Sequence, residues 1–323
     1  MTKVLILGAT GYLGKRLAET LVRSGQHRVY GIARSEAKAK ALALAEVIPI
    51  ICSDPVNKPK VYMDAVRNHH IEVIVDVAGA NQETAKFLSH AKEIGQERLD
   101  SYVNAGIRGP KLGFIYCSGT WVHGSSNTPL TDLDIVGPTA AALPRTLVSW
   151  RVGLENSILS MSDVLDVAVL RPALIYGHEN TIWTPFILPL LEAARNGSPE
   201  SINVPLDADS RPALVHVYDV ATGFQKAIEN LSLINNGSTY PVFDLLTSQE
   251  SMSEIFAAMA SSWGYKGKWA LVGSGDDLFA EAMSTTLRGS SSRAKQLLGW
   301  EPTRTNGFVA DMDLYAAAFA SQH

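Results

Sequence analysis

The feature that most constrains this chain is the turn GATGYLG, residues 8–14, which follows the apolar run VLIL near the N-terminus. Its three glycines stand between a predicted strand and a predicted helix. In that context the first glycine permits a tight turn, the second lets the backbone approach a pyrophosphate, and the third lets the helix pack closely on the sheet. The free N–H groups at the start of the helix favour an anion. The sequence therefore predicts a dinucleotide site formed by Gly8, Thr10, Gly11, Tyr12, Leu13 and Gly14.

Strand-like and helical segments alternate through the first half of the chain. Near-continuous apolar runs such as VIVDV and VAVL are typical of parallel strands that are covered on both faces. This alternation predicts an α/β fold, a Rossmann-type doubly wound parallel sheet with a smaller C-terminal substrate lobe. The predicted strands are 4–7, 28–33, 46–51, 72–77, 113–118 and 164–170, with a strand-like segment at 212–228. The predicted helices are 12–24, 60–68, 82–94, 146–160 and one within 251–265.

The domain boundary is predicted where this alternation loosens. We expect an NAD(P)-binding domain over residues 1–176, to which residues 212–240 return. The remaining part, 177–323, is expected to form the substrate-binding lobe.

Composition and charge exclude several classes of partner. The 323 residues carry a net charge of −4, which gives no reason to expect nucleic acid, since phosphates require a basic face. No stretch approaches the ~18 apolar residues of a membrane span, and the N-terminal run is too short for a signal peptide. Cys52 and Cys117 are far apart in apolar runs, so we expect both to be reduced in a cytoplasmic protein. No spacing of ligand residues indicates a metal site.

The end of the second predicted strand indicates which dinucleotide is bound. Arg34 and Ser35 stand where a carboxylate would bond the adenosine ribose. A guanidinium suits a 2′-phosphate, so NADP(H) is favoured over NAD(H); the alternative is an exposed arginine whose carbon stem covers the adenine. Asp54 is predicted to accept a hydrogen bond from the adenine amino group. Ala78 and Gly79, after the fourth strand, are predicted to leave backbone room beside the cofactor.

Four further segments, in order along the chain, resemble the extended short-chain dehydrogenase/reductase family, in its NAD(P)-dependent epimerase/dehydratase branch. The likeness covers most of the chain and implies that Pro172 contacts the cofactor. The similar segments are YCSGTWVHG (116–124), like a Ser-rich strand end before Val-Tyr-Gly; LRPALIYG (170–177), like Arg-Pro-x-x-x-Tyr-Gly; RPALVHVYDVA (211–221), like Arg-x-x-x-x-His-Val-x-Asp-x-Ala; and SSSRAKQLLGWEPT (290–303), like Lys-x-x-x-Leu-Gly-Trp-x-Pro.

The resemblance breaks at the helix that carries the family's catalytic pair. In the family a tyrosine hydroxyl acts as general acid or base, and a lysine four residues later lowers its pKa. Glu155 fits the glutamate that follows this lysine, which places Leu147 at the tyrosine position and Arg151 at the lysine position. None of the ten tyrosines has a lysine four residues later. Arg151 is expected to hold the nicotinamide ribose, but a guanidinium is a poor proton carrier.

The family's serine position is altered as well. Counting back three residues from Val122 gives Gly119, with Ser118 on one side and Thr120 on the other. His123 replaces the tyrosine of Val-Tyr-Gly, and an imidazole titrates near neutrality. The candidate catalytic residues are therefore Ser118, Thr120, His123, Arg151 and Tyr176.

Three interpretations remain open at this point. The first is a working NADP(H)-dependent oxidoreductase whose proton comes from His123, from Tyr176, or from water held by Ser118 and Thr120. The second is a lyase, isomerase or cyclase that uses the same pocket without net redox change. The third is a non-catalytic NADP(H)-binding protein that reports redox state to a partner.

Aromatic residues give a hint about the small-molecule substrate. Trp121, Trp150, Trp183 and Phe186 fall in segments expected near the pocket mouth, which favours an apolar or aromatic carbonyl or alcohol compound; core packing is the alternative. Arg211 resembles an arginine that contacts the diphosphate in nucleotide-sugar members of the family, but the second arginine is not at its expected spacing. The resemblance also implies a homodimer through the helices after strands four and five, one of which is the altered 146–160 helix.

Overall fold

The computed structural model describes residues 1–79, 83–197 and 201–323. The strands are β1 (Thr2–Leu7), β2 (His27–Ala33), β3 (Ile48–Ile51), β4 (Val73–Asp76), β5 (Leu112–Cys117), β6 (Ser126–Leu130), β7 (Leu165–Pro172), β8 (Leu174–Tyr176), β9 (Ile202–Val204), β10 (Ala213–His216), β11 (Val242–Leu245), β12 (Ser248–Gln249), β13 (Trp269–Leu271) and β14 (Leu287–Gly289). The helices are α1 (Tyr12–Arg23), α2 (Glu36–Leu44), α3 (Lys60–Asn68), α4 (Thr84–Asn104), α5 (Trp150–Leu159), α6 (Thr184–Asn196), α7 (Val217–Glu229), α8 (Leu231–Ile234), α9 (Met252–Ser262), α10 (Leu278–Met283), α11 (Ser292–Leu298) and α12 (Met312–Ala320), with 3-10 turns at Thr120–His123 and Thr146–Val148.

A seven-stranded parallel sheet organises the molecule. Its strand order is β11-β7-β5-β4-β1-β2-β3. The chain builds outward from β1 in one direction through β2 and β3, and then returns to the other side of β1 with β4. The strand order therefore reverses next to β1, and in open α/β sheets the crevice at such a reversal binds the ligand.

Helices cover both faces of this sheet. On one face α1, α2, α7 and α11 bury apolar side chains against the strands, and on the other α3, α4 and α5 do the same. The central residues of β1, Val4, Leu5 and Ile6, are fully buried because each face of the strand has its own core. Burial on both faces explains why these strands are continuous apolar runs.

A smaller lobe follows the large sheet. It contains the three-stranded sheet β12-β10-β8 and the helices α6, α9, α10 and α12, which share a third apolar core. The chain also returns to the large sheet beyond residue 240, since β11 is its edge strand and α11 packs on its core.

The predicted Rossmann-type fold is confirmed, and most predicted elements have their expected places. Helix α3 covers the predicted residues 60–68. The strand-like prediction for 212–228 is wrong beyond His216, where helix α7 begins. Its buried residues Val217, Val220 and Phe224 recur at helical spacing. The sequence did not reveal this helical spacing, because the segment starts with a short apolar run, which fits a buried strand equally well.

Candidate cofactor groove and active site

The turn between β1 and α1 is closed so tightly that only glycine fits at two positions. A Cβ at Gly14 would lie 2.0 Å from the carbonyl oxygen of Gly8, and a Cβ at Gly8 would lie 2.6 Å from the Cα of Ala78. Gly8 also has a φ of +88°, which favours glycine. Gly11 precedes α1 and has no side chain to cap it, so the first N–H groups of the helix face the crevice at the sheet reversal.

A groove of about 260 Å³ runs from this turn to the end of β2. Arg34 and Lys38 line it together and both are exposed. Ser35 begins helix α2, with its hydroxyl accepting a hydrogen bond from the Lys38 N–H at 3.4 Å. Asp54 lines the same groove and accepts the backbone N–H of Asn57 at 3.0 Å, a hydrogen bond that lowers the pKa of the Asp54 carboxyl. Of the residues predicted for the adenosine end, Arg34 and Asp54 therefore line one groove, and Ser35 caps the adjacent helix α2. Lys38 adds a second cation to the groove.

A second cavity, of about 310 Å³, begins where this groove ends, and the two share Gly11, Val77 and Ala78. The hydroxyl of Tyr12, at its edge, donates to the Gly177 carbonyl. The other predicted residues that line this cavity are Leu13, Gly79, Ser118, Thr120, Arg151 and Pro172. The structure thus joins the turn, the end of β5 and helix α5 around a single space.

The hydroxyl of Ser118 already has a hydrogen-bond partner. It donates to the carboxylate of Glu155, which lies between Ser118 and the guanidinium of Arg171. Arg171 reaches Glu155 through Nη2 at 2.5 Å and Nε at 3.2 Å, and all three side chains are buried. Burial acts to lower the pKa of Arg171, but the charge and hydrogen bonds of Glu155, together with the charge of Asp244, outweigh burial and raise the pKa. Ser118 is therefore part of a buried ionic network beneath the cavity.

Arg151 lines the same cavity as Ser118, but its donors have no partner among the described residues. It extends from the first turn of α5 and is only 9% exposed, and none of its N–H groups has a hydrogen-bond partner among the described residues. A Cβ at Gly119 would lie 3.0 Å from its Nη1. The backbone of Gly119 is extended, with φ 178°, a conformation that any residue can adopt. A side chain at this position would therefore be limited by contact with the arginine and not by backbone strain.

Thr120 is the second cavity residue with free hydrogen-bonding capacity. It is 3% exposed, and its hydroxyl has no hydrogen-bond partner within the described part of the chain. Thr120 stands in the 3-10 turn directly after β5, beside Gly119. The cavity therefore contains one free hydroxyl and one free guanidinium at the place where β5 ends.

Two further polar groups lie near Arg151. Asp76, at the end of β4, is 1% exposed; burial raises its pKa to about 7, although the Ala78 N–H and the Arg151 charge oppose this. Burial also raises the pKa of the Cys117 thiol to about 12, so this thiol is un-ionised near neutrality. Sequence reasoning missed Asp76, although an aspartate within the apolar run VIVDV was a signal for it.

Comparison with known proteins identifies the family. The model of the NAD dependent epimerase/dehydratase family matches residues 4–242. The chain belongs to this family. No curated protein matches its sequence.

Solved structures of the same fold cover the chain from end to end. A dTDP-glucose 4,6-dehydratase from Bacillus anthracis str. Ames, in complex with NAD, has a TM-score of 0.72 at 14% identity, over 100% of this chain and 98% of that one. A UDP-glucose-4-epimerase from Stenotrophomonas maltophila, with bound NAD and formylated UDP-arabinopyranose, has a TM-score of 0.69 at 17% identity, over 100% and 98%. A UDP-glucuronic acid 4-epimerase from Bacillus cereus, in complex with UDP-glucuronic acid and NAD, has a TM-score of 0.67 at 15% identity, over 99% of each chain.

The residues of this epimerase/dehydratase family member fit a nicotinamide dinucleotide. The glycine turn leaves a cradle that a Cβ at position 8 or 14 would fill, and the two cavities continue into each other on either side of it. Among the described residues no group of side chains is suited to hold a metal ion. No helix in the described ranges is both long and apolar enough to cross a membrane.

Two predicted proton donors of this family member do not reach the cavity. His123 is 3% exposed, its Nε2 lies 2.8 Å from Oδ2 of Asp244, and it lines a separate cavity. Tyr176 is fully buried in the core of the smaller lobe, stacked on Phe308. Leu147, at the tyrosine position, is 37% exposed in a 3-10 turn and does not line the cavity.

The aromatic residues are divided between the cavity and the packing of the molecule. Trp121 lines the cavity beside Leu174 and Ile182. Trp183 and Phe186 are buried in the core of the smaller lobe, and Trp150 lines a separate groove between α4 and α5. Sequence reasoning did not separate these roles, because apolar aromatic residues fit a core and a ligand site equally well.

Proposed function

We propose that the chain is an NADP(H)-dependent oxidoreductase that interconverts a small apolar or aromatic carbonyl compound and its alcohol, without a tyrosine proton donor. Family membership supports a nicotinamide cofactor. The observation that carries the proposal is a pair of adjoining cavities. The adenosine cavity is lined by two cations, and the other is lined by the hydroxyl of Thr120 and the guanidinium of Arg151, which have no partner among the described residues.

The adenosine end supports the preference for NADP(H). Arg34 and Lys38 place two positive charges beside the start of helix α2, and Ser35 caps that start. A 2′-phosphate would receive charge-assisted hydrogen bonds from both cations. The neighbouring structures that are described with NAD show that the fold also accepts the dinucleotide without this phosphate.

The other end supports chemistry on a carbonyl group. A bound nicotinamide supplies the hydride in reduction and accepts it in oxidation. Thr120 would hold the substrate oxygen by a hydrogen bond, and the charge of Arg151 would stabilise the negative charge that develops on that oxygen. The proton would come from water held at Thr120, since Ser118 already donates to Glu155. Trp121, Leu174 and Ile182 would contact the apolar body of the substrate.

Titration with NADPH and NADH, followed by NADPH oxidation with a panel of apolar aldehydes and ketones, tests the proposal. We expect tighter binding of NADPH and turnover of part of the panel. Thr120→Val should lower kcat/KM about 10²-fold, the lower range for loss of a group that assists proton transfer, without changing the Kd of NADPH. Thr146→Val, at an exposed threonine outside the cavity, is the matched control. Failure of both dinucleotides to bind would overturn the proposal.

The missing tyrosine favours a second candidate, a protein that binds NADP(H) without net redox chemistry. Substrate loss without net change in NADPH would indicate a lyase, isomerase or cyclase. Binding of NADPH with no effect on any member of the panel would indicate a redox-sensing protein. The same titration and panel therefore separate both forms of this candidate from the oxidoreductase.

A further inference from the structure

Arg151 differs from the other buried arginines of the described chain in its lack of a counter-ion. Arg16 is 5% exposed and pairs with Glu179 at 2.8 Å, and Arg171 is 1% exposed and pairs with Glu155 at 2.5 Å. Arg151 is 9% exposed, yet it forms no ion pair and no hydrogen bond within the described ranges. Its Nε is buried without a partner, and the guanidinium lines the cavity.

A buried charge without a partner is strongly unfavourable, so this arrangement is typical of a site that a ligand completes. The hydroxyl groups of a nicotinamide ribose are neutral; they would satisfy N–H groups of Arg151 without compensating its charge. Asp76 is the nearby carboxyl group; the Arg151 charge acts to lower its pKa, but the two side chains form no ion pair and no hydrogen bond within the described ranges. An anion is therefore the ligand that this charge requires.

The surroundings indicate which anion fits. The planar fork of a guanidinium matches the two oxygens of a carboxylate. Arg151 is the one cation among the described residues that line the cavity, whose other walls include Trp121, Leu174 and Ile182. One cation against apolar walls suits a monoanion with an apolar body better than a phosphate dianion.

We infer that Arg151 binds a carboxylate of the substrate, so that the substrate is an apolar or aromatic oxo acid and its product the corresponding hydroxy acid. This inference rests on the proposed function for the reaction itself, but the carboxylate site can be tested without turnover.

The test uses 3-phenylpropanoate and 3-phenylpropanamide, which share size and apolar body and differ in charge. Each is titrated into the protein saturated with NADP+, with binding followed calorimetrically. We expect the carboxylate to bind about tenfold more tightly or better, since a hydrogen bond to a charged group adds ~1.5–3 kcal/mol. Arg151→Gln should abolish this difference, and Arg151→Lys should retain part of it. Arg108→Gln, at an exposed arginine outside the cavity, should leave it unchanged.

Equal affinity for the two probes in the unaltered protein would overturn the inference, and so would the absence of binding by the carboxylate. The same holds if Arg151→Gln weakens NADP+ binding but leaves the discrimination between the probes intact, since Arg151 would then serve the cofactor alone. Failure of NADPH to bind or to be oxidised would instead count against the proposed function, so the two failures are distinguishable.

Discussion

Two parts of the cofactor site, the glycine turn and the region around the end of β5 and the start of α5, differ in how closely they follow the family pattern. At the turn between β1 and α1 every glycine of the motif is present, and the backbone leaves no room for a side chain at Gly8 or Gly14. At the end of β5 and the start of α5 the tyrosine, lysine and serine positions hold Leu147, Arg151 and Gly119. The glycine turn therefore carries the residues of the family motif. The second region, called the chemical end below, carries different residues at the family's three catalytic positions.

The difference follows from what builds each end. The turn binds through backbone groups, and a side chain at Gly8 or Gly14 would displace the backbone itself. The chemical end acts through side chains, and these can be replaced without moving the backbone. The network of Glu155, Arg171 and Ser118 still connects α5 with β7 and the end of β5. Catalytic side chains can therefore change on an unchanged fold, which is why function must be argued from the site.

The largest expected effect tests whether this network is structural. Glu155→Ala removes the partner of Arg171, whose other carboxylate neighbour among the described residues, Asp244, lies 3.9 Å away. Leaving a buried guanidinium uncompensated should lower the free energy of unfolding by about 3–5 kcal/mol. Urea unfolding followed by circular dichroism measures this loss.

The matched control for Glu155→Ala is Asp64→Ala, which breaks the surface ion pairs of Asp64 with Lys60 and Arg67. Exposed pairs contribute less than about 1 kcal/mol, so this change should hardly alter stability. Similar losses for the two variants would show that the buried network does not support the altered end.

The second prediction concerns the adenosine end of the groove and tests whether Arg34 determines the preference for NADPH over NADH. Arg34→Asp replaces a cation of the groove by a carboxylate that would repel a 2′-phosphate and accept a hydrogen bond from a free ribose hydroxyl. The ratio of the NADPH and NADH affinities should fall by about 10–100-fold, the range for one lost charge-assisted hydrogen bond. Fluorescence titration with each dinucleotide gives the ratio. Lys40→Asp makes the same charge reversal on helix α2 outside the groove, and an equal fall for both variants would contradict a role for Arg34.

The adenosine end was also the part that could be predicted from the sequence. The glycine turn and the strand ends are local features, and their side chains or backbone groups meet because the C-terminal ends of parallel strands lie at one edge of a sheet. Lys38, which the sequence interpretation missed, stands four residues after Arg34 and joins it in the groove.

The chemical end could be predicted only in part. Counting from Glu155 assigned Leu147 and Arg151 to the altered positions, but sequence spacing does not show what each hydroxyl or ring contacts. His123 lies on the 3-10 turn that carries Thr120, yet Asp244, distant in sequence, binds its ring away from the cavity. Partners that are brought together by tertiary packing leave no local signal.

The smallest expected effect tests whether Gly119 and Arg151, which replace the family's serine and lysine, depend on each other. In Gly119→Ser the new Cβ would lie 3.0 Å from Nη1 of Arg151, so the guanidinium must shift, and we expect a loss of about 1 kcal/mol of stability from overpacking. Arg151→Lys removes the Nη1 group, so the same serine should be accepted there at little cost. Thermal and urea unfolding of the two single variants, the double variant and the unaltered protein give the coupling free energy.

A coupling of about 1 kcal/mol in favour of the double variant would mean that the arginine and the glycine depend on each other, since residues in contact commonly show such interaction energies. Gly153→Ser on the exposed face of α5, where an added Cβ meets nothing within 4 Å, should combine additively with Arg151→Lys. Additivity within about 0.3–0.5 kcal/mol at Gly119 as well would mean that the two exchanges are independent. The residues at positions 119 and 151 would then have no energetic dependence on each other. Arg151 would keep its place even with a side chain at position 119.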